Sequence, residues 1–152
     1  MKHYCATYFQ TIFDQSNKLS YYLINMNQTP RQKIGEMGEK LACRHLQQEG
    51  YQILEQNYRQ KWGEIDIIAK YKNIFTFIEV KTLVYSFFPT TKNPFLTPED
   101  QMTPQKIQNL NKTILHYLNK QKNDGSYQLD LITIEIDRTR KKYRLRHFHN
   151  IK

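Results

Sequence analysis

Two short fragments place acids at a spacing that suits metal-assisted hydrolysis: Gly63-Glu64-Ile65-Asp66 and Glu79-Val80-Lys81. Each lies in a run rich in Ile, Phe and Val, at 64–71 and 74–83, and only Lys72-Asn73 separates the two runs. That gap fits a two-residue hairpin, although Lys-Asn is not its favoured turn chemistry. With the turn there, paired residue numbers sum to 145, so Asp66 faces Glu79 and Glu64 faces Lys81. A four-residue loop with the same centre gives the same register. Period-two alternation then sets Glu64, Asp66, Glu79 and Lys81 on one face with Ile68, Phe75 and Phe77.

Opposed side chains on neighbouring strands hold their Cβ atoms ~4.5–5.5 Å apart. Two carboxylates that close repel, and aromatic neighbours strip away the water that would soften the repulsion. Three remedies exist: protonation of one acid, pairing of both with Lys81, or a divalent cation. Oxygen ligands from Asp66 and Glu79, with the Val80 carbonyl as a further candidate, suit Mg²⁺ or Mn²⁺. A cation there would polarise a phosphodiester and acidify a bound water, while Lys81 oriented that water or met developing negative charge. The competing structural reading is a Glu64–Lys81 cross-strand ion pair with Asp66 and Glu79 at the sheet rim. A paired-acid glycosidase would leave Lys81 without a task.

Other residues invite weaker readings. His147 and His149 alternate on one strand, yet no third ligand stands at useful spacing and basic neighbours oppose a cation, so a zinc site is not expected. Asp130 opens an apolar run, where it would bond nearby backbone or Lys106. Tyr58 and Trp62 would cap the sheet or stack on bases. Cys5 and Cys43 form no disulfide framework and no metal spacing; Cys43 reads as an ordinary half-buried thiol in a helix.

The elements that must position these groups follow from periodicity. Thr29-Pro30 opens a helix over about 30–49, with Ile34, Met37, Leu41, His45 and Leu46 on one stripe and Gly50 as its stop. Strands are expected at 51–59, 64–71 and 74–83, followed by a proline-containing loop over 84–103. Pro104 opens a second helix with Ile107, Leu110, Ile114, Tyr117 and Leu118 on one face, ending before Asn123-Asp124-Gly125. Two last strands, 127–136 and 142–148, flank a basic turn at 137–141. The fold class is α/β, an αβββαββ order with a central mixed sheet flanked by helices. Residues 1–28 differ in texture, rich in tyrosine with three formal charges, and read as an extension: a short packed helix, an unstructured arm, or residues preceding a start at Met26. The domain proper is 29–152.

Of the net charge of +9, +8 belongs to residues 30–152, concentrated in Arg138, Arg140, Lys141, Lys142, Arg144 and Arg146. Such a chain attracts polyanions, with a phosphate backbone the simplest partner. No run approaches the ~20 apolar residues of a membrane span, and no signal-peptide core is visible, so no membrane partner is expected and the chain reads as cytoplasmic.

The two acidic fragments have the form of the PD-(D/E)xK nuclease signature, with Ile65 where the wider pattern has proline. Together with Gly35-Glu36-Met37-Gly38-Glu39, Gly50-Tyr51-Gln52-Ile53-Leu54, Asn57-Tyr58-Arg59, Lys106, Leu129-Asp130-Leu131-Ile132 and His147-Phe148-His149-Asn150, they resemble the YraN-like family of uncharacterised bacterial proteins. The resemblance spans about 30–152. That family is similar to Holliday-junction resolvases and other restriction-endonuclease-like proteins. It implies Asp66, Glu79, Lys81 and the helix-borne Glu39 as catalytic residues, with Asp66, Glu79, Val80 and Glu39 around the metal. It sets Gln105 and Lys106 near the scissile phosphate, though a plain surface position is the favoured reading for both, and Glu39 is also readable as a solvated helix charge. Arg59, Arg144 and Arg146 complete the expected nucleic-acid contacts. The implied activity is structure-selective DNA cleavage by a possible homodimer. The alternatives are a binding module of the same fold with little turnover, and an RNA nuclease.

Overall fold

The computed structural model describes residues 5–11, 31–86 and 102–151. Along them run β1 (Cys5–Thr11), α1 (Arg31–Gln48), β2 (Gln52–Gln60), β3 (Gly63–Tyr71), β4 (Ile74–Tyr85), α2 (Pro104–Lys120), β5 (Tyr127–Asp137) and β6 (Lys142–Phe148). The anticipated cap at Thr29 and Pro30, and residues 87–101 of the anticipated loop, lie outside the described residues. Lys72 (φ 46°) and Asn73 (φ 66°) form the β3–β4 turn, both left-handed as a tight hairpin of matching twist requires. Asparagine adopts that conformation readily, lysine less so. The register is the expected one, from Tyr71↔Ile74 to Ile67↔Ile78.

The strands form one sheet in the order β1-β6-β5-β4-β3-β2. Neighbours are antiparallel except β4 and β5, which run parallel through a crossover that contains α2. Parallel pairing of consecutive strands needs such a crossover, and it buries β4 and β5 at the centre. From α1 onward this is a restriction-endonuclease-like core of the α/β class. β1 adds a strand to it. The sequence reading had a helix or an unstructured arm there; Cys5–Thr11 carries no charge and no helical stripe, and it pairs along the whole of β6.

Each helix covers one face of the sheet. Met37, Leu41, Ala42 and Leu46 of α1 pack on Ile67, Ala69, Ile78, Ile132 and Ile134. Leu110, Ile114, Tyr117 and Leu118 of α2 pack on Ile68, Phe75, Phe77, Leu129 and Leu131. Burial of side chains of this size stabilises by roughly 1.5–3 kcal/mol apiece. α1 comes very close to β4, because a Cβ on Gly38 would stand 1.8 Å from Thr82 Oγ1. α1 ends at Gly50 (φ 86°), with Gly50 N–H donating to the Gln47 carbonyl and Tyr51 N–H to the Leu46 carbonyl. α2 begins on Thr103, whose hydroxyl accepts from Lys106 N–H at 3.2 Å, with Pro104 in the first turn.

Candidate metal centre and basic face

The ladder between β3 and β4 stops at Ile67↔Ile78, one step before the acids. Asp66 therefore does not pair with Glu79 as a ladder partner. Its Oδ2 instead accepts the Val80 N–H at 2.7 Å, so the carboxylate takes the place of a strand bond. Glu79 is 2% exposed and Asp66 9%. Burial first, and the Glu79 charge second, push the Asp66 carboxyl up to about 7; Glu39 adds to the rise, while Val80 N–H and Lys81 oppose it.

Glu79 Oε1 receives two ammonium groups, Lys81 Nζ from its own strand and Lys106 Nζ from α2 at 3.2 Å. Its other oxygen, Oε2, is buried and accepts no hydrogen bond among the described residues. A buried carboxylate oxygen without a donor is costly, and a cation is one group that would satisfy it. The donor set is also that of a hard divalent ion. Lys106 was expected beside the phosphate or on the plain surface; it lies against Glu79 because the first turn of α2 reaches β4.

The remaining expected residues fall in four places. Glu39 affects the Asp66 charge, but its Oε2 accepts from Asn57 Nδ2 at 2.9 Å. Among the described residues, the carboxylates of Glu39, Asp66 and Glu79 do not bring three ligand atoms all within 4.8 Å of one another. Glu64 pairs with Arg59 at 3.0 Å on the exposed edge, so the expected Glu64–Lys81 pairing does not form. Gln105 is exposed and donates to Gln108 and Asn109. Arg144 and Arg146 share the face of Lys81, yet Arg144 Nη1 donates to Glu135 Oε2 at 3.2 Å and Arg146 Nη2 forms an ion pair with the same oxygen at 3.2 Å; their side chains are 20% and 18% exposed. Strand register sets Lys81, Thr133 and Arg146 in one row. Two strand spacings separate the lysine from the arginine, about 10 Å.

The aromatics are divided. Tyr58 is buried edge-on against Tyr117, and its hydroxyl bonds His116 Nδ1 at 2.9 Å. Trp62 stays partly exposed, 5.9 Å from the His116 ring, with Lys61 over its indole. Cys43 is the inert thiol expected: burial, then Glu39, push it up to about 11.

On the opposite face the structure corrects two expectations. Asp130 does not approach Lys106, and the histidine pair does have a third partner. Asp130 Oδ2 lies 2.9 Å from His147 Nε2 and 3.2 Å from His149 Nδ1. Its Oδ1 accepts Asn150 N–H at 2.8 Å and Gln128 Nε2 at 2.9 Å. Asn150 sits at φ 52° and turns the chain back onto β5, where Ile151 N–H donates to the Leu129 carbonyl. Burial alone would raise Asp130; the hydrogen bonds from His147 and His149 outweigh it and hold the carboxyl at about 2. Asp130, His147 and His149 could together hold a metal ion. The alternation of the histidines was a signal for this cluster, but Asp130 is brought in by sheet topology, which spacing does not reveal.

An α/β sheet that sets Asp66, Glu79 and Lys81 at the splayed end of a central hairpin has the architecture of the restriction-endonuclease-like class. Within it, residues 38–134 match the family described as Uncharacterised protein family UPF0102, and the chain belongs to that family, the YraN-like one. A UPF0102 protein of Coxiella burnetii is 40% identical over 109 residues, covering 70% of this chain and 85% of its own length. One from Alkaliphilus oremlandii is 34% identical over 119 residues, covering 78% and 96%. A third, from Flavobacterium johnsoniae, is 39% identical over 92 residues, covering 60% and 69%. No described helix is long and apolar enough to cross a membrane.

Proposed function

We propose that the chain is a metal-dependent nuclease that hydrolyses phosphodiester bonds in DNA, with branched or junction-like substrates preferred. The observation that carries this reading is Glu79 Oε2, buried without a donor among the described residues, beside a second buried carboxylate whose proton is unusually hard to remove. A sheet gains no stability from that pairing, whereas a hydrolytic site needs it. Asp66 and Glu79, with the Val80 carbonyl, would hold Mg²⁺ or Mn²⁺. That ion, when bound, supplies Lewis-acid activation of the phosphodiester and a more acidic water. Val80 N–H fixes the orientation of Asp66, and Lys81 and Lys106 stand ready to leave Glu79 for developing phosphate charge. Arg146, in the row of Lys81, extends the positive face toward the strand backbone. Dimerisation and a cytoplasmic setting belong to the same proposal.

A second reading has one observation in its favour. Both lysines already neutralise Glu79, so the acids persist without a metal in a module that binds DNA and does not cut it. The two readings part when the purified chain meets four-way, single-stranded and duplex DNA under Mg²⁺, Mn²⁺ or EDTA. Wild type should cleave with metal only, and Asp66→Asn, Glu79→Gln and Lys81→Ala should bind without cleaving. Cleavage in EDTA, or by the Glu79→Gln variant, would contradict the mechanism. Binding without cleavage on every substrate would leave the module. An RNA panel separates the nucleic-acid classes, because no described group reads the sugar.

A further inference from the structure

The molecule has a second constellation of ligand-type side chains on the far face of the sheet from Glu79. Asp130 of β5, His147 of β6 and His149 just beyond it aim three ligand atoms at one spot, all within 4.8 Å of one another. We propose that these three residues bind a divalent transition-metal ion of the zinc class, at a site separate from the Asp66–Glu79 centre.

Three observations support it. First, Asp130 is fully buried, and among the described residues its only ion-pair partners are the two imidazoles. Both converge on a single oxygen, which leaves a buried negative charge held by dipoles alone unless an imidazole is protonated. A buried carboxylate oxygen with two imidazole nitrogens turned onto it is the kind of ligand set that a metal ion recognises.

Second, the distances fit. With bonds of ~2.0–2.1 Å, tetrahedral zinc holds its ligand atoms ~3.3 Å apart. Asp130 Oδ2 already stands 2.9 Å and 3.2 Å from the two nitrogens. Admitting an ion therefore needs the side chains to open by a few tenths of an ångström and the two nitrogens to release their protons. Gln128 and the Asn150 N–H hold the other carboxylate oxygen, the outer support that orients a metal-binding carboxylate.

Third, there is room for a fourth ligand. A cavity of about 320 Å³ borders both histidines and is walled by His45, Glu49, Tyr51 and Tyr71. Three protein ligands beside such a space form an open site, able to hold water or a small anion in the fourth position. Nitrogen ligands favour zinc, iron or nickel over magnesium. The basic residues that argued against a cation lie elsewhere. Arg144 and Arg146 project to the other face, onto Glu135, and the basic turn follows Asp137, seven residues along β5 from Asp130. Seven strand residues span about 24 Å.

The test is equilibrium dialysis of the full chain, stripped of metal, against Zn²⁺, with Co²⁺ absorption as a second readout of ligand type. One Zn²⁺ per chain is expected, with visible Co²⁺ bands of nitrogen–oxygen ligation. The Asp66→Asn/Glu79→Gln variant should retain it fully, which keeps this result independent of the nuclease reading. His149→Ala should weaken uptake at least tenfold. Because His149 lies past the end of β6 and is a third exposed, the fold should survive; His149→Gln, checked by circular dichroism, serves if it does not. Absence of Zn²⁺ uptake, uptake undiminished by both His149 variants, or uptake lost in the Asp66→Asn/Glu79→Gln variant would overturn the proposal.

Discussion

Replacement of Asp66 by asparagine should make the metal-free protein more stable while ending its response to magnesium. The carboxyl is buried, lies within the field of the Glu79 charge, and has its pKa raised from 3.8 to about 7. For an acid with a raised folded pKa, the folded state holds more protons than the unfolded state between those two values. Stability therefore falls as pH rises from about 4 to about 7, and the penalty is complete above that. A difference of about 3 pH units corresponds to an upper limit of ~4 kcal/mol at pH 8. The shift is shared with Glu79, so roughly half is expected on substitution, about 2 kcal/mol. Asparagine keeps an oxygen for the Val80 N–H and removes only the charge. Urea unfolding in EDTA at pH 8 should show the gain, and at pH 4 it should nearly vanish. With 10 mM MgCl₂ the wild type alone should recover stability. An Asp66→Asn protein less stable than wild type at pH 8 in EDTA, or one gaining equally at both pH values, would refute the electrostatic reasoning.

Two further outcomes concern the supports of the site. Gly38→Ala puts a Cβ against Thr82 Oγ1, so thermal denaturation should reveal a loss of about 1–3 kcal/mol, reduced when Thr82→Ala is added. Arg146→Ala leaves Glu135, fully buried, with Arg144 as its remaining ion-pair partner among the described residues. A loss of roughly 2–3 kcal/mol is expected, recovered in part by Glu135→Gln, and a drop in DNA binding by Arg146→Ala must exceed what unfolding explains.

How much of this was readable beforehand depends on the range of the interactions. The β3–β4 hairpin was legible because alternation and a two-residue gap fix register locally, and that register holds as far as Ile67↔Ile78. The Asp66–Val80 bond was not, since it depends on the strands splaying, which no pattern announces. Lys106 and Asp130 found their partners through topology: one on a crossover helix, the other between β4 and β6. β1 escaped notice because a short strand at a sheet edge has little core to imprint a pattern on it. Arg144 and Arg146 were read as exposed charges because the matching Glu135 lies on another strand.

The parallel arrangement of β4 and β5 has a consequence for the order of assembly. To pass from one to the other the chain must travel through residues 86–126, and closing so long a loop loses entropy before any contact repays it. The β3–β4 hairpin closes locally, on a scale of ~1–10 μs. Its two acids thus come together early, with Lys81 already present on the same strand. Lys106 rides on the crossover and reaches Glu79 only once α2 has settled on the sheet. The acid pair and the Lys106 charge that tempers it are therefore separate kinetic events.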